Sequence, residues 1–322
     1  PPEGPRRAWL CPGARRGPDA RGAPASLGLL PSLRRPPSPA GHTLGTWYAG
    51  FIRGLFTLDP SQKRDFLDEL NGSAADKAMV AVHRRTTHRV HYIGIEFGVH
   101  GYQPFSAAES YRRGFGDCKD KATLFCTLAE TVGETSDIVL TRTRDLGNLS
   151  TKLASLSLFN HAIAYLPRSK TFVDGTADYV GLGELPVDDQ GADVLLVSRD
   201  GTSVRRTIPE TAAADNVDDQ RFELSFPDAV RGDTDRVKIA AKLFTRGADA
   251  PGQRGRYAKT DSRDDRLERG ISETLSGVQL AHAELRELSD HARPLIARFD
   301  GAGDTLLCRA GRQLLVAPAT GT

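Results

Sequence analysis

The chain has 322 residues, 39% of them apolar and 26% charged, with a formal net charge of +2. That composition excludes a wholly disordered or fibrous chain, and the near-neutral balance argues against a nucleic-acid or membrane-surface partner. No run approaches the roughly 18 apolar residues of a spanning helix, and the 4 cysteines (Cys11, Cys118, Cys126 and Cys308) lack the paired CxxC spacing of a zinc site or disulfide framework.

The first 40 residues hold 10 of the 19 prolines, 7 arginines and only two acids, Glu3 and Asp19. They carry no helical or strand period, so residues 1–43 are expected to be a disordered segment, a linker rather than a nucleic-acid tail. The chain begins with proline and shows no signal-peptide order of segments. It reads as a fragment in which the true N-terminus and its targeting signal are not visible.

Ordered structure is expected from about Leu44, where Trp47, Tyr48, Phe51, Ile52 and Leu55 have helical spacing. Asp59-Pro60 predicts an N-cap followed by proline in the first turn, opening a helix with Phe66, Leu67 and Leu70. Ser73 with Asp76 resembles a capping box ahead of Ala75, Met79, Val82, Thr86 and Val90. His83, His88, His91 and His100 lie in or after this helix. Metal ligation is the sharper reading and a solvated basic face with Arg84, Arg85 and Arg89 the plainer one; no carboxylate or cysteine completes a ligand set. Tyr92 to Val99 is expected to cross the core as an extended run, and Ser106 to Arg112 to form a small helix.

The stretch from Gly114 to Gly133 predicts a tight turn running into an amphipathic helix. Asp117 is a good N-cap, and Asp120 favours the positive end of the helix. Phe125, Leu128, Ala129 and Val132 form one apolar face, and Gly133 suits the stop. Cys118 therefore sits in the first turn, where free N–H groups and the helix dipole favour a thiolate, with Lys119 and Lys121 adding positive charge. A small core residue is the plain alternative. It suits Cys126, among apolar neighbours, better than Cys118 in Gly-Asp-Cys-Lys-Asp-Lys.

Strand-like runs follow at Ile138–Thr141, Phe159–Leu166 and Thr171–Asp174, the last two flanking a turn at Pro167–Lys170. If Leu166 pairs with Thr171, Asp174 falls opposite Ile163 and diagonal to His161 on one face. Diagonal neighbours are about 7–8 Å apart at the backbone, within reach of a His–carboxylate hydrogen bond. A slip of one residue would separate them. A purely structural His–Asp pair is the alternative.

Val194–Val197 and Val204–Ile208 read as a further hairpin, and Thr211–Gln220 as a linker. The last third alternates as strands at Arg221–Phe226, Val237–Phe244, Leu280–Leu288, Leu295–Phe299, Thr305–Cys308 and Gln313–Val316, with a charged helix at Asp261–Leu275. It carries no catalytic constellation; Arg231-Gly232-Asp233 reads as a turn, and the aspartates lack calcium-loop spacing.

Gly116-Asp117-Cys118, Asn160-His161-Ala162 and Phe172-Val173-Asp174-Gly175-Thr176, in that order and separated by 43 and 13 residues from Cys to His to Asp, resemble the transglutaminase-like superfamily. Tyr92-Ile-Gly-Ile-Glu-Phe-Gly98 and Gly114-Phe-Gly-Asp-Cys-Lys-Asp-Lys121 are similar to one bacterial group of it, in which the core follows an uncharacterised β-rich N-terminal domain and precedes a smaller β-rich one. The likeness covers about residues 44–200 strongly and the last third loosely; Glu134 stands where that pattern has an apolar residue.

The resemblance implies an α+β fold: a papain-like transglutaminase core at residues 44–209, its Cys-bearing helix packed on an antiparallel sheet, then a β-rich domain at 210–322. It implies acyl transfer on amides through Cys118, His161 and Asp174, with an oxyanion donor sought in the Cys118 N–H and the Gln103 or Tyr102 side chain. Cross-linking, deamidation and peptide hydrolysis all remain open. The implied partner is a protein or peptide substrate, with no cofactor, no metal, and a bacterial, periplasmic or secreted setting. A non-catalytic scaffold that keeps the fold is the alternative.

Overall fold

The computed structural model describes residues 40–70, 75–94, 96–149, 155–225, 237–275, 277–291, 293–303, 307–310 and 313–316. Most of the segment expected to be disordered, Ser73 of the expected capping box and the Arg231–Asp233 turn lie outside them.

Helix α1 (Ala40–Phe51) begins a little before the expected start and buries Leu44, Tyr48 and Ala49. Helix α2 (Pro60–Leu70) opens as Asp59-Pro60 predicts, with the Asp59 N–H donating to Gln62 Oε1 at 3.0 Å, and buries Phe66 and Leu70. Helix α3 (Ala75–His88) turns Ala78, Val82 and Thr86 inward. His83 is buried too, so the solvated basic face does not extend to it.

Strand β1 (His91–Tyr92) is short, and the run after it does not cross the core as expected. Tyr92, Ile93, Phe97 and Val99 are exposed, Phe97 by 78%. The interior is occupied by a later helix, and the start of this run pairs in parallel with β2 (Phe115–Gly116). Between them α4 (Ala107–Arg113) is capped by Ser106, whose Oγ accepts the Glu109 N–H at 3.2 Å, and ends at Gly114 with φ 68°.

Helix α5 (Cys118–Thr131) is the hub of this region and packs on α3 and α4. It was expected to bury one face. Instead every residue from Cys118 to Ala129 is buried, because helices and strands cover it on several sides. It ends as Gly133 predicts: the Gly133 N–H donates to Glu130 O at 3.0 Å and the Glu134 N–H to Ala129 O at 2.9 Å, a Schellman closure with Gly133 at φ 82°.

Strand β3 (Asp137–Arg142) pairs antiparallel with β4 (His161–Leu166), Asp137 opposite Tyr165 and Thr141 opposite His161. Helix α5 packs on both. Strand β5 (Thr171–Val173) follows the turn at 167–170, and β6 (Asp193–Val197) and β7 (Ser203–Thr207) come next. β4, β3, β6 and β7 lie side by side in that order.

Strands β8 (Val217–Ser225) and β9 (Val237–Arg246) lead to helices α6 (Ala250–Tyr257) and α7 (Arg263–Thr274), then β10 (Val278–Arg286) and β11 (Leu295–Gly303). These four strands make an antiparallel sheet in the order β10-β11-β9-β8, and β12 (Leu307–Ala310) pairs with β13 (Gln313–Val316). β8 begins inside the expected linker. Pairing along β9 overrides the poor strand propensity of Asp218 and Asp219, and Thr245 Oγ1 donates to Asp218 at 3.3 Å.

The fold is thus mixed α+β with antiparallel sheets and several helices. It divides into two compact units. The first draws its described residues from Pro1–Arg142, Asn148–Pro167 and Val194–Arg206, the second from Thr143–Gly147, Arg168–Asp193 and Thr207–Thr322. The second has its own core of Val237, Ile239, Ile271, Leu275, Val278 and Phe299. Among the described residues no helix is long and apolar enough to cross a membrane.

Candidate active site

The turn into α5 is built by two reciprocal carboxylates. Asp117 Oδ1 accepts the Asp120 N–H, and Asp120 Oδ2 accepts the Asp117 N–H at 3.0 Å, a complete capping box. Asp120 Oδ1 also accepts the Phe105 N–H at 2.7 Å, tying the segment before α4 to the same turn. Gly116 is required by contact: a Cβ there would stand 2.7 Å from Asp120 Cβ. Cys118 follows as the first helical residue, 7% exposed.

The polar sequence around Cys118 does not mean a surface turn. Lys119 Nζ donates to Asp117 Oδ2 at 2.5 Å, with both side chains buried. Burial pulls the Lys119 ammonium down, but Asp117, Cys118 and Asp120 outweigh it and raise its pKa. Lys121, 1% exposed, donates to Val90 O at 2.6 Å, capping the chain as it leaves α3. Burial, then Asp117, lifts the Asp120 carboxyl above its ordinary range, partly offset by the backbone donors and Lys119.

Helix α5 and strand β3 are joined by the short segment 132–136 and run in opposite directions. Near the joined end, Cys126 Sγ donates to Asp137 O at 3.6 Å. From Cys126 back to Cys118 is about 12 Å of helix, and from Asp137 on to Thr141 about 13 Å of strand. Thr141 pairs with His161. Cys118 and His161 therefore lie toward the same end of this helix–strand layer. His161 is half-buried and opens β4, two residues after the expected start at Phe159.

Asp174 comes directly after β5, in the second unit, and is 3% exposed. Its Oδ1 accepts both the Thr176 N–H and the Thr176 hydroxyl at 2.7 Å, which fixes the carboxylate by a local turn. The Asp-Gly-Thr sequence thus has a conformational reason of its own.

No family model and no curated protein matches the chain. A crystal structure of a suspected protease from Parabacteroides distasonis is similar at 13% identity and a TM-score of 0.41, over 83% of this chain. The chain spans about half (53%) of that protein's length. A likeness this loose supports no assignment.

The upstream polar residues have defined partners. Gln103 Nε2 donates to Phe51 O at 2.8 Å, so this amide is turned toward α1 in the structure. The Tyr102 backbone carbonyl accepts the Tyr48 hydroxyl at 3.2 Å. Tyr48 reads from the sequence only as an apolar helix position. Its buried phenol is pushed well above its ordinary pKa by burial first and then by Cys118, Asp117 and Asp120, which places it in the same electrostatic neighbourhood. Its helical apolar spacing gave no sign of this. His100 stacks on Phe105, ring centroids 3.7 Å apart, and its Nδ1 lies 3.1 Å from Gln103 O. Among the described residues, His83, His88, His91 and His100 do not converge as a metal-ligating group.

Proposed function

We propose that the chain carries a transglutaminase-like core and performs cysteine-dependent acyl transfer on the amides of a protein or peptide, with Cys118 as nucleophile, His161 as base and Asp174 as the group that orients the imidazole. The observation that carries this reading is Cys118 in the first turn of α5, the helix packed on the strand that His161 opens. A helix N-terminus favours the anionic sulfur that attack requires. The ordered Cys, His and Asp motifs support the rest, as does a sequence spacing that would set Asp174 diagonal to His161 if Leu166 pairs with Thr171.

In the proposed reaction His161 takes the thiol proton as Cys118 attacks the carbonyl carbon. The tetrahedral oxyanion collapses, the C–N bond breaks, and the imidazolium returns its proton to the leaving amine or ammonia. Water or a second amine, deprotonated by His161, then attacks the thioester and releases Cys118. Asp174 stays ionised and holds the tautomer. The Cys118 N–H is the first oxyanion donor. Gln103 would serve as a second only after releasing Phe51 O, and Tyr102 remains a weaker choice.

The test is iodoacetamide labelling of Cys118 across pH 5–9 in the wild type, His161→Ala and Asp174→Asn, with Cys118→Ala as blank. A base that activates the sulfur predicts at least a tenfold slower reaction near neutral pH in His161→Ala. Identical profiles in all three would remove the enzyme assignment and leave a scaffold protein with this fold. A panel of glutamine-containing and cell-wall peptides, with and without an added amine, then separates transfer from hydrolysis.

A further inference from the structure

Arg254, on α6, is fully buried at 0% exposure. Its Nη1 donates to Tyr179 O at 3.1 Å, and its Nη2 to His291 O at 3.3 Å and to Arg293 O. The Glu184 carboxylate lies 3.7 Å from Nη1 and also accepts the Gly181 N–H at 2.9 Å. The packing around this knot leaves little slack. A Cβ on Gly181 would stand 2.8 Å from His291 O, and one on Gly255 3.2 Å from the Tyr179 ring. His291 Nδ1 lies 3.1 Å from Val180 O. The segment 179–184 is therefore gripped from α6 and from the turn before β11. This segment follows Asp174 closely and belongs with it to Arg168–Asp193, which falls in the unit built on the C-terminal sheet.

We propose that Arg254 is a positioning residue for Asp174, holding the segment that bears this carboxylate. The inference rests on the acyl-transfer reading above. A buried guanidinium is a demanding choice for a mere spacer, since its charge and its donors all need partners. A fork of N–H donors can hold carbonyls from two separate loops at once, which the point charge of a lysine does not reproduce. The carboxylate's own Thr176 turn sets its local conformation. The Arg254 knot sets where that turn is anchored.

The experiment uses the full chain with Arg254→Met, Arg254→Lys and Glu184→Gln, the last as the milder change should the first fail to fold. Amide hydrogen exchange is followed across 175–184, and Cys118 alkylation is followed against pH beside Asp174→Asn. The expected result is exchange at least tenfold faster at 175–184 in Arg254→Met with α5 amides unchanged. Its alkylation profile should move toward that of Asp174→Asn, with Arg254→Lys in between. Unchanged exchange overturns the knot. Faster exchange with a wild-type alkylation profile reduces it to a structural clamp and overturns the positioning role. If Asp174→Asn itself alkylates like the wild type, the triad reading fails and the positioning role falls with it, while the exchange data still report on the knot separately.

Discussion

Asp117 and Asp120 accept each other's backbone N–H across the first turn of α5, at 3.4 Å and 3.0 Å. The pair makes one rigid unit of the turn, the segment before α4 and the residue that follows Asp117, which is Cys118. Asp120→Asn keeps the shape but turns an N–H₂ donor toward one of the two N–H groups that the carboxylate now satisfies. The expected cost is about 1–3 kcal/mol, read by urea denaturation at neutral pH.

The same residue sets a pH dependence. Asp120 is held above the ordinary value of 3.8, first by burial and then by Asp117. A carboxyl with a raised folded pKa stabilises the fold most below its unfolded value, and that contribution is lost as pH rises through the folded value. The stability advantage of the wild type over Asp120→Asn should therefore shrink as pH is raised from just below 4. Denaturation midpoints of both proteins at stepped pH check the sign; an advantage that grows with pH would contradict it.

Cys118 and Cys126 should behave differently. Cys126 is fully buried, and burial lifts its thiol to about 12. At pH 8 to 9 it stays protonated, so folded protein should take up iodoacetamide at Cys118 and spare Cys126. Peptide mapping by mass spectrometry should find Cys126 labelled only after denaturant is added.

Lys121→Met would leave Val90 O and Thr87 O without the ammonium that lies 2.6 and 3.4 Å away. Hydrogen bonds from charged groups contribute roughly 1.5–3 kcal/mol each, so a loss of about 2–3 kcal/mol is expected in denaturant unfolding. Lys121→Arg should not restore it, because a planar guanidinium does not reproduce the point charge of a compact ammonium at a buried position.

Gly116→Ala should act through Asp120. The new methyl would sit 2.7 Å from Asp120 Cβ and 2.9 Å from its Oδ2. Overpacking of this kind costs about 1–3 kcal/mol. Because the strain falls on the cap residue Asp120, which shares the first turn of α5 with the thiol, Cys118 alkylation should change even at temperatures where the variant is fully folded by circular dichroism.

Much of the local architecture was legible. Asp59-Pro60, the Asp117 cap, Gly133 and the strands on either side of the turn at 167–170 all stand where short-range rules predict. Three features were not. Tyr92–Val99 is apolar enough for a core strand, yet α5 fills the interior and the run stays outside. Helix α6 contains Pro251, Gly252 and Gly255, which argue against a helix; it forms where Arg254 and Tyr257 are buried in the second unit. The linker expected at 211–220 yields partly to β8 because β9 offers it a full ladder.

The sequence alone determined how α2 and α5 begin, where α5 ends and which chemistry-bearing side chains stand beside those ends, because caps, turns and alternation depend on neighbours a few positions away. It also named Cys118, His161 and Asp174 as the residues to test. Tertiary structure alone decided that Lys119, Asp120, Lys121 and Arg254 are interior. A charge can be buried only where partners such as Phe105 N, Val90 O and Tyr179 O come to meet it, and those partners lie 15, 31 and 75 residues away along the chain.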